Sequence, residues 1–334
     1  MEENNGVTKR LLPFIPNCIS PLVPMILDSF KIIFLDYPKL FFVVYIVAAL
    51  PTSILLTSLS ISATPRHLKA YLMRLEWLSR VVPTEQGMKN VWETSQDELR
   101  KLYHFRVLHA VPILVFSLVT VVATVTITSL AYNRKNEVSL ENKKKCPNLS
   151  AVFAALRSKW AWPLLAGVAN SFVWIMWGHV LPILKIVGQP GAVVTMTVAE
   201  VVVEVYMMTV LSLSLVVSVE EERAGLDLIR AGLGVMKGRK VCGWVLSGLI
   251  LVGTNCIGRE MEMVMDGQDS EVNGRYTNWT VEMRVVFMVG LVIFLAWIIL
   301  WSNVVFTVFY CDWRKRNVDR DTLEKDLDGD IEIL

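Results

Sequence analysis

The chain has 334 residues, of which 54% are hydrophobic and 19% charged, with a formal net charge of +2 and a mean hydropathy of +0.48. A soluble chain carries about 25% charged residues, so this balance excludes an ordinary water-soluble globule. Crossing a bilayer as a helix takes roughly 20 apolar residues, and six blocks of about that length stand near 40–61, 110–131, 161–184, 191–218, 241–258 and 284–310.

The stretch LLPFIPNCISPLVPMIL (11–27) follows Lys9 and Arg10 and has the apolarity of a signal sequence. Pro13, Pro16, Pro21 and Pro24 would break a helical signal core repeatedly, and no small-residue cleavage site follows cleanly. It reads as an irregular interfacial segment kept in the mature chain, within a cytoplasmic N-terminal segment 1–39. A short amphipathic helix closes that segment, with Phe30, Ile33 and Phe34 at helical spacing and Lys39 at the headgroup level. The first span, 40–61, follows.

The loop 63–106 is basic and amphipathic, which fits an interfacial helix pair on the outer face. After the second span comes the lysine cluster Lys143–Lys145 and a second amphipathic prelude, with Val152, Phe153 and Leu156 on one side and Lys159 at its end. The third span carries Asn170 and His179; the Trp174–Trp177 pair reads as packing or an interface anchor. In the fourth span Glu200 and Glu204 stand four residues apart, hence on one helix face. Ionised carboxylates at that depth are costly and normally face the bundle interior or water. Two readings stand. One has protonated acids hydrogen-bonding a neighbouring helix; the other is a transport or ion site, with Asn170 and His179 as partners across the bundle.

A third prelude follows at 222–240, with Leu226, Ile229, Leu233 and Met236 on one face and Lys237, Arg239 and Lys240 at its end. The fifth block is short and contains Asn255. The acidic loop 260–280 after it contains the sequon Asn278-Trp279-Thr280, a glycosylation acceptor if lumenal; a second sequon, Asn148-Leu149-Ser150, lies in a loop expected to be cytoplasmic. The sixth span ends at Cys311, placed where palmitoylation is open to it, with an inert thiol as the plainer alternative. Residues 312–334 form an acidic cytoplasmic tail. Glu324, Asp326, Asp328 and Gly329 imitate the start of an EF-hand loop, but its closing Glu is missing.

Basic residues set the orientation. With six spans, the side holding both termini carries 21 of the lysines and arginines and the other side 12, which makes both termini cytoplasmic. The preludes then make the expected fold an all-α polytopic bundle of about six spans (domain 40–311), arranged as three repeats of an interfacial helix plus a two-span hairpin. Lys39, Lys159, Lys237, Arg239 and Lys240 become contacts to anionic lipid headgroups, each worth about 1 kcal/mol.

The segment VVSVEEERAGLDLIRAGLGVMKGRK (216–240) resembles the VVSVLED-type segment and following amphipathic helix of a family of plant six-span membrane proteins. DSFKIIF (28–34) and VVFTVFYCDWRKRNVDRDTLEKDL (304–327) extend the resemblance over most of the chain. It implies an endomembrane protein with no reaction attached; some members are labelled as binding a poly(A)-binding protein. The chain departs from that pattern at Glu220-Glu221-Glu222 and in its acidic ending.

The residues themselves offer no catalytic constellation. The four histidines form no metal-binding spacing, the five cysteines no CxxC pair, and neither a P-loop nor a GxSxG elbow is present. No RNA-recognition motif points to nucleic acid, and no cofactor is implied. The expectation is a non-enzymatic membrane scaffold of the endoplasmic reticulum, endomembrane or plasma membrane. It would engage anionic lipids of the cytoplasmic leaflet and cytoplasmic protein partners through its loops and tail. The alternative is a small transporter or channel built round Glu200 and Glu204.

Overall fold

A computed structural model describes residues 22–62, 85–136, 149–187, 193–221, 226–237, 239–266 and 280–331. Among these, every regular element is helical, and the order is ten α-helices with two π-helical turns. Helix α1 (Leu22–Lys31) runs into a π-turn, Ile32–Asp36; α2 (Pro38–Val44) runs through a second π-turn, Tyr45–Ala49, into α3 (Leu50–Ser62). Then come α4 (Glu85–Asn136), α5 (Leu149–Ser158), α6 (Ala161–Val187), α7 (Val193–Glu220), α8 (Leu226–Met236), α9 (Lys240–Asp266) and α10 (Val281–Ile331).

Prolines explain the irregular first span. The residue before a proline is pushed out of the helical region, and Tyr37, at φ −139° and ψ 50°, breaks the chain just before Pro38. Pro38 itself sits harmlessly at the first turn of α2. Pro51 lacks an N–H and its ring crowds the carbonyl four residues back. The wider π-turn Tyr45–Ala49 lies just ahead of it and closes with Leu50 N–H donating to the Tyr45 carbonyl, which relieves that crowding.

Five helices are long and apolar enough to cross a membrane: Pro38–Leu59, Val107–Arg134, Thr197–Glu220, Lys240–Met265 and Val281–Asn317. The short fifth block of the sequence therefore belongs to a helix of full spanning length, and Asn255 is simply exposed on it. The third block forms one helix, α6, whose described apolar part is Ala161–Val173. That is too short to count by itself, so five helices rather than six meet the test among the described residues.

Two expectations about the ends of spans are corrected. Residues 85–106 are not a separate interfacial helix: they continue into the second span as one 52-residue helix, α4, about 78 Å long at 1.5 Å per residue. Likewise the tail does not begin at a break, because α10 continues from the last span to Ile331. No proline or glycine interrupts residues 311–328, and charged residues such as Arg, Glu and Lys are good helix formers. Residues 63–84 and 1–21 lie outside the described residues.

The core combines α4, α7, α9 and α10 with the first span. Val122, Val125, Ile127, Leu213, Val217, Leu300, Phe306 and Tyr310 are wholly or almost wholly buried there. Hydroxyls inside this apolar core return to the backbone: Thr120 donates to the Phe116 carbonyl at 2.8 Å and Thr52 to that of Ala48 at 2.7 Å. Such back-bonding is what hydrocarbon surroundings demand of a hydroxyl. A hydroxyl–hydroxyl bond also crosses between helices, Thr209 Oγ1 donating to Ser247 Oγ at 2.7 Å and pinning α7 to α9. A bond of this kind is worth about 0.6 kcal/mol in a membrane protein.

The three preludes appear as separate short helices, α1, α5 and α8. Their docking differs from a helix floating on a surface. Helix α8 lies against α7, with Leu228, Gly232, Val235 and Met236 buried, while Asp227, Arg230 and Lys237 are exposed. Ser214 Oγ on α7 approaches the Leu228 carbonyl at 3.3 Å. The buried face is thus rotated from the Leu226–Ile229–Leu233–Met236 stripe of the sequence reading, and Leu233 is left 38% exposed. Close approach by Gly232 makes the rotated face the better fit to α7.

Candidate functional site

The end of the bundle where α7 stops, α9 starts and α10 passes is the most developed polar site. Tyr310 on α10 is fully buried, and its hydroxyl donates to Glu221 Oε1 at 2.6 Å, just past the end of α7. Arg239, in the turn between α8 and α9, pairs with Asp312 of α10 at 2.6 Å, the two side chains only 15% and 22% exposed. Arg316 Nε reaches the same carboxylate at 3.4 Å, and Arg314 lies 4.0 Å from Glu220, both arginines 58% exposed. Lys159 Nζ, in the break between α5 and α6, donates to the Val219 carbonyl at 3.2 Å.

The logic is local. The last carbonyls of α7 have no partner in their own helix. A cation from the α5–α6 break satisfies one of them and suits the negative end of the helix dipole. Short charge-assisted bonds are the strong ones, so Tyr310–Glu221 and Arg239–Asp312 tie two helix junctions, α7–α8 and α8–α9, to the stem of α10. This latch was not anticipated from the sequence. Its signals were an acidic run, Glu220-Glu221-Glu222, and a basic run, Arg314-Lys315-Arg316, but only the fold says which acid meets which base.

This geometry bears on several expected roles. Arg239 is held in an ion pair with Asp312, and Lys159 gives one of its donors to a backbone carbonyl. Lys39, Lys237 and Lys240 are exposed, as that role requires. Cys311 is 8% exposed in the core, where an acyl chain on its sulfur would displace packed side chains; the inert-thiol alternative fits. Asn278 and Asn148 lie outside the described residues, as do Lys143–Lys145.

The acidic pair of α7 occupies a different place. Glu200 and Glu204 are half-buried, and around them Val198, Val201, Val202 and Tyr206 are 61%, 47%, 49% and 37% exposed. This half of α7 lies at the margin of the bundle. Asn170 lines a cavity of about 210 Å3 with Leu56, Leu59, Leu114, Ser117 and Leu215, and its Oδ1 is buried without a hydrogen bond among the described residues. The contribution of α7 to that cavity is Leu215, eleven residues past Glu204 and so about 16 Å along the helix axis. The cavity therefore does not join Asn170 to the acids. His179 lies on α6, but its side chain is outside what is described. Among the described residues no group of three or more His, Cys, Asp or Glu could hold a metal ion.

Five long apolar helices and an all-helical framework define the class, a polytopic α-helical membrane protein. Within that class the chain belongs to the family described as Domain of unknown function (DUF8558), whose model matches residues 21–332. No curated protein and no solved structure matches the chain.

Proposed function

We propose that the protein is a non-enzymatic membrane scaffold of a plant endomembrane or plasma membrane, with both termini cytoplasmic and three prelude-plus-hairpin repeats making six spans. Its basic junctions engage anionic lipid of the cytoplasmic leaflet, and its loops and long C-terminal helix are offered to cytoplasmic protein partners. One observation carries this reading. Each of the short helices α1, α5 and α8 gives way to an apolar helix within two residues of a basic one, and Lys39, Lys237 and Lys240 stand exposed at two of those junctions. Exposed lysines at such junctions are attracted to an anionic leaflet, and the latch described above ties the junction of Lys237 and Lys240 to α10.

Glycosylation mapping of the full chain in microsomes tests the orientation on which the reading depends, with Asn278→Gln and Asn148→Gln as controls. The expected result is modification at Asn278 alone. Modification at Asn148 would place the basic junctions in the lumen and remove the electrostatic argument. If neither sequon is used, labelling of single cysteines placed at 145 and 270 decides the sidedness.

A second reading, a small transporter or channel, has its own observation: two half-buried carboxylates four residues apart in a span. The double substitution Glu200→Gln and Glu204→Gln separates the readings. A scaffold keeps its folding yield and membrane location; a proton- or cation-coupled carrier loses flux in loaded vesicles.

A further inference from the structure

The break that Pro38 forces at Tyr37 opens a groove between the first π-turn, the start of the first span and α10. Ile33, Phe34, Phe42, Tyr45 and Trp297 line it, and the volume is about 480 Å3, inside the range of roughly 300–1,000 Å3 usual for small-molecule sites. Phe34 and Phe42 are 59% and 63% exposed at its rim. The Phe34 ring is braced against Trp297 with centroids 5.2 Å apart. The Tyr45 hydroxyl is already committed, donating to the Ile293 carbonyl at 2.9 Å, so the groove meets an occupant mainly with carbon. Among the described residues lining it, Lys39 alone carries charge, and Lys39 is exposed. Asp36, the nearest acid in the sequence, is exposed but does not line the groove.

We propose that this groove holds one acyl chain of an anionic phospholipid, with Lys39 at the phosphate of its headgroup. The inference deepens the lipid-engaging reading above and rests on it for the leaflet, though not for the occupant. The first span begins at Pro38, so Lys39 stands at its entrance, where a spanning helix meets the headgroups, and the walls formed by Phe42 and Tyr45 lie further along it. A lysine is a compact point charge suited to a phosphate, whereas the aromatic walls suit a flexible alkyl chain of any headgroup. Charge preference and chain binding therefore reside on different residues and separate by mutation. An attraction of about 1 kcal/mol per lysine corresponds to a preference of about fivefold for an anionic over a zwitterionic headgroup.

The test uses the full chain reconstituted in phosphatidylcholine vesicles. These carry a small fraction of either phosphatidylglycerol or phosphatidylcholine with a photoreactive group near the end of the acyl chain. Adducts are located by mass spectrometry. The expected adducts concentrate on residues 33–45 and 297–300, about fivefold more from phosphatidylglycerol. Lys39→Gln is expected to abolish that preference while leaving the phosphatidylcholine adducts in place, which also reports that the groove is folded; Lys31→Gln, exposed and outside the lining, leaves the preference intact. The proposal is overturned if adducts are no denser there than at exposed lipid-facing positions such as Val285 and Val286. It is overturned equally if the preference survives in Lys39→Gln, or if the groove stays unlabelled while a cysteine placed at position 42 crosslinks two copies of the chain. An inverted glycosylation map would sink the leaflet assignment and leave groove labelling unchanged, so the two failures are distinguishable.

Discussion

Gly232→Ala is expected to destabilise the protein by about 1–2 kcal/mol, whereas Gly234→Ala, two residues along the same helix, leaves it unchanged or slightly more stable. A Cβ at Gly232 would stand 2.7 Å from Ser214 Oγ and 3.1 Å from the Val210 carbonyl oxygen, while a Cβ at Gly234 meets nothing within 4 Å. Alanine in place of helical glycine gains about 0.5–1 kcal/mol, but overpacking costs about 1–3 kcal/mol. The second term wins at Gly232 because one obstacle is backbone, which cannot rotate away. Adding Ser214→Ala removes the nearer obstacle and the hydroxyl's bond to the Val210 carbonyl (2.8 Å); partial recovery is expected, since the Val210 carbonyl stays. Thermal unfolding of the detergent-solubilised chain, followed by fluorescence or size exclusion, reads all three variants. Equal midpoints for Gly232→Ala and Gly234→Ala would mean that α8 does not pack on α7 as described.

Loss of Asp312 is the other large effect. Asp312→Ala leaves Arg239, 15% exposed, without the carboxylate it now meets at 2.6 Å. Removing one partner of a fully buried pair costs about 3–5 kcal/mol, and an exposed pair is worth about 0–1 kcal/mol. The partial exposure here places the expected loss between them, at about 1–3 kcal/mol. Arg316→Ala, on an arginine 58% exposed at 3.4 Å, is expected to cost less than 0.5 kcal/mol. Arg239→Ala falls between, because Asp312 keeps Arg316. A double-mutant cycle on Arg239 and Asp312 isolates the pair, and its coupling is expected to survive 1 M salt better than that of Arg316 with Asp312, since burial limits screening. A coupling near zero would reduce the latch to two side chains that happen to lie close. Tyr310→Phe probes the same latch from the other side: it keeps the ring in the core and leaves Glu221 without its 2.6 Å donor.

What was legible in the sequence follows a simple rule: features set by neighbours in the chain could be read, and those set by distant partners could not. Apolar blocks near 40–61, 110–131, 191–218, 241–258 and 284–310 correspond to the five long apolar helices, because backbone groups in hydrocarbon have to be satisfied within the segment. The short helices before them were legible too, since apolar residues at helical spacing and a closing basic residue are local features of the chain. Helix continuity was not. Polar residues 85–106 and the stretch after Cys311 suggested separate pieces, yet both extend spans, because change of solvent alters side-chain polarity without breaking the backbone. Nor could the pattern say what an apolar face meets, for lipid tails are as apolar as leucine.

The candidate site divides in the same way. Spacing alone put Glu200 and Glu204 on one face of α7, and composition alone put lysines at the junctions. Only the tertiary structure could pair Arg239 with Asp312, 73 residues away, seat Tyr310 on Glu221 across 89 residues, and bury Cys311. These are choices among several chemically equivalent acids, bases and apolar faces. Sequence by itself determined a helical membrane protein with basic junctions. The packing of α7, α8, α9 and α10 decided which of those charges hold the protein together and which stay exposed, because pairing depends on distance in space and a local pattern carries no information about that.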